Sequence, residues 1–180
     1  MAPTTMARDS CEAERYRATV RRVSVAGAQD ALVVIREAAA WARARGIEVW
    51  APHELRQETY EAAACNSELV VGYADATPAA TMLLQSEDSI YWPQEPPGSA
   101  IYVHKVAVRR AFAGQSWLAR LIDFAVEDAD LRGIRALRLD TILRPKLQSL
   151  YERHGFRTLV EEPLSVAGRQ MIRMERLLGS

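Results

Sequence analysis

The chain is short of several residue types, and each shortage excludes something. Cysteine occurs only at Cys11 and Cys65, too few and too far apart for a disulfide framework. The three histidines, at 53, 104 and 154, follow no spacing of a structural zinc motif, and no metal is expected. Lysine is nearly missing: Lys105 and Lys146 are the only two among 23 basic residues. The rest are arginines, planar forks suited to carboxylates and phosphates, although a coding bias toward Arg and Ala explains the same excess. Net charge is absent as well, since 23 acidic residues balance the basic ones. That balance excludes nucleic-acid binding through a general basic surface. No apolar run approaches the ~18–20 residues that span a bilayer. The start, MAPTTMARDSCEAERY, lacks a basic region followed by an apolar stretch. A soluble, reduced, cytoplasmic protein is the expectation, with neither membrane nor nucleic acid as partner.

What is present suits one globular domain. The chain has 180 residues, 49% of them hydrophobic and 26% charged. A chain of this size buries roughly 70% of its unfolded surface, enough for a full core. Residues 1–13 are polar and aperiodic and read as a disordered tail, leaving 14–180 as the domain. Within it, Tyr16–Val25 alternates as a strand, Ala31–Arg45 has a helical apolar face, and Pro52–Ala64 reads as a second helix with proline in its first turn. ELVVGY (68–73) and AATMLLQ (79–85) form a hairpin around DATP, and the proline-rich stretch 86–99 is a loop. Ala100–Val108 is the most strand-like segment, followed by a helix over Gln115–Arg132 and a strand over Ile134–Asp140. A helix over Arg144–His154 and strands over Phe156–Val160 and Met171–Leu178 close the chain. The order predicts an α/β (α+β mixed) domain: a central twisted mixed sheet flanked by helices.

Two segments carry chemistry. In the first, strand 100–108 runs through RRAFAGQSWL into a helix start, where backbone N–H groups lack intrahelical partners and the helix dipole is positive. Such a turn suits an anion, a pyrophosphate above all. Gly114 allows close approach, Ser116 adds a hydroxyl, and Arg109, Arg110 and Arg120 stand ready for outlying phosphates. The second is LRLDTILRPKLQSLYERHGF (137–156), where a strand ends at Asp140 and the next helix places the Tyr151 phenol in its penultimate turn.

Together these units resemble the GCN5-related N-acetyltransferase (GNAT) family, in element order from Tyr16 to Leu178 and residue by residue over about 100–157. The family's helix opens with Arg or Gln, two residues, Gly, one residue, then Gly or Ala, and its backbone amides hold the pyrophosphate of acetyl-CoA. The frame falls here on Ala113, Gly114, Gln115, Ser116, Trp117 and Leu118, departing at Ala113, Ser116 and Leu118. Arg144 departs too, standing where the family often has Asn on the cofactor side. Backbone amides need no particular side chain, so the cradle survives these changes, with Leu118 and Trp117 adding bulk.

The resemblance implies acetyl-CoA as cosubstrate, with its pantetheine paired to Val106, Ala107 and Val108. It also implies a β-bulge that splays the fourth and fifth strands. Tyr151 matches the family tyrosine that donates a proton or a hydrogen bond to the CoA sulfur. His104 sits where some relatives place a histidine base, and an unperturbed imidazole near 6.5 suits that task, although a packed bystander is the plainer reading. The backbone N–H of Val106 would polarise the thioester carbonyl. The implied reaction is direct transfer of an acetyl group to the primary amine of a small molecule. A binding module without turnover, and an enzyme acting on a protein N-terminus or lysine, stay open as alternatives. For the acceptor pocket the sequence offers Trp50, Tyr60, Tyr91 and Trp92 as aromatic walls and Glu87, Asp88 and Glu95 as attractors of a cation. Met171, Ile172, Met174 and Leu177 of the last strand serve either a homodimer or the core.

Overall fold

A computed structural model describes residues 16–159, 163–166 and 168–179; the tail read at 1–13 lies outside them. The described chain runs β1 (Ala18–Arg22), α1 (Ala28–Arg43), α2 (Gln57–Cys65), β2 (Leu69–Ala74), β3 (Thr77–Gln85), β4 (Ile101–Val108), α3 (Trp117–Leu131), β5 (Ala136–Ile142), α4 (Pro145–Glu152), β6 (Arg157–Thr158), β7 (Leu164–Val166) and β8 (Arg169–Leu177). The strands form one mixed sheet in the order β1-β2-β3-β4-β5-β8-β6, with β7 also on β8. Every pairing is antiparallel except β4 with β5. Among the described residues no helix is long and apolar enough to cross a membrane.

The sheet is covered on both faces, and strand periodicity sorts the side chains between them. Val70, Met82, Leu84, Ile101, Val103, Leu137 and Leu139 pack with α3 through Trp117, Leu121, Ile122 and Ala125. Leu69, Val71, Tyr73 and Leu83 pack on the other face with α1 and α2. β2 is consequently buried along its whole length and reads as a continuous apolar run. One glycine is dictated by this packing: a Cβ on Gly72 would lie 2.7 Å from the Trp117 ring. Trp117, read from the sequence as part of the anion turn, is also among the largest fully buried side chains.

Several expected boundaries move. The Pro52–Ala64 helix divides into a 3-10 turn at Pro52–Leu55 and α2, because Arg56 is extended (φ −87°, ψ 148°). α3 begins at Trp117, two residues later than expected. The strand expected over Phe156–Val160 shortens to Arg157–Thr158, with Val160 outside the described residues. β7, absent from the sequence reading, pairs with the start of β8. Met171, Ile172 and Met174 are buried in the fold, whereas Leu177 is exposed.

Candidate active site

The geometry of the candidate site originates in β4. Thr81 and Leu83 of β3 face Ala107 and His104, so three β4 steps oppose two on β3. This is a β-bulge, and Lys105 within it adopts φ +52°. A left-handed non-glycine residue inside a strand costs roughly 1–2 kcal/mol. Its side chain is tied down: Lys105 Nζ donates to Glu54 Oε1, while Glu54 Oε2 accepts from the Ala51 N–H at 2.7 Å. Burial alone would raise the Glu54 pKa, but Lys105, Ala51 and Arg169 together hold it low. The bulge changes which β4 residues face α3. Ile101 and Val103 do so before it, and Val106 and Val108 after it.

β4 and β5 then part. Their parallel pairing consists of Ile101 with Leu137 and Tyr102 with Arg138. Beyond these pairs the strands open onto a cleft of about 1190 Å³. Val106, Ala107, Val108, Ala113, Gly114, Ser116, Trp117, Leu118, His104 and Tyr151 all line it. Gln115 and Arg144 do not. Gln115 instead accepts a hydrogen bond from Tyr16 Oη at 2.7 Å, and that hydroxyl accepts one from Trp117 Nε1 at 3.0 Å. At the turn before α3, Gly114 has φ +80° and Ser116 φ +59°. Both are left-handed, a conformation used to point successive N–H groups into a concavity. A Cβ at Gly114 would meet nothing within 4 Å, so its role there is conformational. Arg110 lines the cleft, but Arg109 is held by Glu37 Oε2 at 2.7 Å.

At the other end of the cleft stand the titratable groups. Tyr102 and Arg138 are paired in register, so His104 and Asp140, two residues further along each strand, share the face opposite α3. His104 Nδ1 lies 3.2 Å from Asp140 Oδ1, and His104 Nε2 lies 3.6 Å from Asp88 Oδ2 of the 86–99 loop. Both carboxylate oxygens are buried without a hydrogen-bond partner. Tyr151 is pushed up to about 12 by burial and by Asp140. Burial with Asp140 and Asp88 likewise pushes Tyr91 up to about 12.

The aromatic and acidic candidates divide. Trp50, Tyr91, Glu87 and Asp88 line the cleft. Tyr60 is instead fully buried under α1, and Trp92 packs on Ala100, Tyr102 and Ala136, so neither is a pocket wall. Glu95 is bound to Arg138 at 2.8 Å, away from the cleft. Sequence reasoning missed Asp140, Glu54 and Lys105. For Asp140 a signal existed in the alternation of RLD, which places Arg138 and Asp140 on one face.

The sequence profile described as the Acetyltransferase (GNAT) family matches residues 35–156. The chain's fold is similar to that of a GNAT-family acetyltransferase from Listeria monocytogenes, with 20% identity, coverage of 89% of this chain and 95% of that one, and TM-score 0.70. It is also similar to the PaiA N-acetyltransferase of Thermoplasma acidophilum, solved in complex with coenzyme A, with 15% identity, coverage of 89% and 99%, and TM-score 0.69. A third is the ribosomal-protein-S18-alanine N-acetyltransferase of Escherichia coli, with 15% identity, coverage of 91% and 96%, and TM-score 0.66. No curated protein matches the sequence. The profile match spans well over half the chain, along the segment that builds the bulge, the turn and the cleft: the protein belongs to the GNAT acetyltransferase family.

Proposed function

We propose that this chain transfers an acetyl group from acetyl-CoA to the primary amine of a small molecule. The observation that carries the reading is the cleft between β4 and β5, which has an anion-suited turn at one end and His104, Asp140 and Tyr151 at the other. When bound, acetyl-CoA supplies a thioester carbonyl and a thiol leaving group.

Each part of the cleft has a task. The N–H groups at Gly114–Leu118 hold a pyrophosphate, which requires backbone and tolerates Ala113, Ser116 and Leu118. Gln115 supports that turn from behind through Tyr16, and Arg144 stands outside the lining. The main chain of Val106, Ala107 and Val108, left without a strand partner toward β5, pairs with pantetheine amides. The Val106 N–H polarises the carbonyl. His104 removes a proton from the attacking nitrogen.

The value for Tyr151 decides the form of its contribution. A phenol at about 12 stays protonated at working pH. Tyr151 therefore meets the departing sulfur with its O–H intact, as the donor of a proton or a hydrogen bond.

Calorimetric titration with acetyl-CoA, with desulfo-CoA as control, tests the first half of the reading. Micromolar binding is expected, whereas no binding at millimolar concentration would overturn it in favour of a binding module of another kind. Thiol release with small amines and with peptides tests the second half. Turnover confined to peptides would redirect the reading to a protein acetyltransferase.

A further inference from the structure

We propose that Asp88, His104 and Asp140 form the seat of the acceptor's ammonium group, and that the acceptor carries one ammonium on an apolar body. This rests on the acetyl-transfer reading and names its substrate class.

Asp88 is built for this. Its Oδ1 accepts the N–H groups of Ile90 and Tyr91, each at 3.0 Å, which fixes the carboxylate plane. Its Oδ2 is left buried and without a hydrogen bond, on a side chain only 5% exposed. Asp140 presents a second such oxygen. One buried oxygen of each carboxylate therefore faces a single imidazole, and neither of these two oxygens has the hydrogen bond that burial of a charge demands. One atom from each of Asp88, His104 and Asp140 lies within 4.8 Å of the other two. A triangle of that size leaves a point within about 2.8 Å of all three corners, the length of a charge-assisted hydrogen bond. A primary ammonium has three N–H donors to place there.

Most of the neighbouring charges are already matched. Glu54 is engaged by Lys105 and Ala51, with Arg169 at 3.9 Å, and Glu37 by Arg109 and the Arg110 N–H. Trp50, Ile90, Tyr91 and Met171 supply apolar lining nearby in the cleft. Apart from exposed Glu87 on the loop beside Asp88, a second cation in the acceptor would meet those surfaces or charges already matched.

The proton count closes. His104 takes one N–H proton, which frees the lone pair on nitrogen, and the resulting imidazolium is stabilised by Asp88 and Asp140. The C–N bond forms as the C–S bond breaks, and nitrogen sheds a second proton. Of the two protons lost, one ends on the CoA sulfur and the other passes to solvent.

The test compares n-hexylamine, 1,6-diaminohexane and a lysine-bearing peptide by thiol release at saturating acetyl-CoA, for the wild type and Asp88→Asn. Asparagine keeps Oδ1 for the Ile90 and Tyr91 N–H groups and removes only the charge. The KM for n-hexylamine should lie at least tenfold below those of the diamine and the peptide. Asp88→Asn should raise it at least tenfold, with acetyl-CoA affinity, measured by calorimetry, within twofold of wild type. Asp140→Asn, assayed the same way, provides the second variant should Asp88→Asn fail to fold. An unchanged KM in the folded variant, or a preference for the diamine or peptide, would overturn the proposal. So would activity that is lost on chelation and restored by zinc, which would make the cluster a metal site. If the wild type releases no thiol with any amine, the acetyl-transfer reading fails. Titration of n-hexylammonium into the CoA-loaded protein then decides the seat alone: binding lost in Asp88→Asn upholds it, and no binding by wild type overturns it.

Discussion

The two ends of the cleft are made of different material. At the turn before α3 the groups proposed to act are main-chain amides, set by two left-handed residues, Gly114 and Ser116. At the far end they are side chains from three separate elements: Asp88 from a loop, His104 from β4 and Asp140 from β5. A main-chain site survives substitution of its side chains, so on the proposed reading Ala113, Ser116 and Leu118 are compatible with the turn where the family frame has other residues. A side-chain site has no such latitude, and it is where specificity resides.

That contrast is open to experiment, and the largest effect belongs to the side-chain end. Tyr151→Phe removes the donor proposed for the leaving sulfur and should lower kcat by about 10²-fold or more, leaving acetyl-CoA affinity within twofold. A kcat within a few fold of wild type would remove Tyr151 from the mechanism.

Next comes a change remote from the cleft, which separates scaffold from site. Arg22 of β1 forks onto Asp128 of α3 at 2.6 and 2.9 Å, with Arg132 adding a third contact. Burial pulls the Asp128 carboxyl up, but the two arginines outweigh it and hold it below the ordinary range. Asp128→Asn should cost about 2–3 kcal/mol of stability in denaturant titration, with acetyl-CoA affinity unchanged. A depressed carboxylate stabilises the fold above its unfolded pKa and loses that contribution as the pH falls through its folded pKa. The difference between wild type and variant is therefore full above about pH 4 and shrinks below it.

Smaller still is the expected loss in Gly114→Val. A β-branched residue at φ +80° costs roughly 1–2 kcal/mol, read as about a tenfold weaker calorimetric Kd for acetyl-CoA. Leu118→Ala should have the least effect, a Kd change under threefold, because the turn is proposed to bind through amides. A tenfold gain there would show that the bulk of Leu118 handicaps the turn and that the site is not one of main chain alone.

The same division explains what the sequence made legible. Element order and the strand–turn–helix at 100–132 followed from local periodicity, glycine placement and the family frame. Tyr60 and Trp92 looked like pocket walls, because an aromatic on a short helix or loop carries no mark of the side it faces; both are core. Asp140 was visible only as the end of an apolar strand. Its partner His104 is 36 residues away, and their encounter depends on the parallel register of β4 with β5. β7 went unseen because three residues pairing with one end of β8 leave almost no periodic signal.

The brief β4–β5 ladder has a consequence for how the molecule moves. Two residue pairs join a half-sheet of β1–β4 to a half-sheet of β5–β8, and α3 straps both from one side. The seam is the natural line of breathing, so amides of Val106–Val108 should exchange with solvent sooner than those of fully laddered β2. On the proposed reading, a molecule lying in the cleft takes the place of the absent rungs. Ligand occupancy should then slow exchange on both lips of the seam at once, turning two loosely joined plates into one.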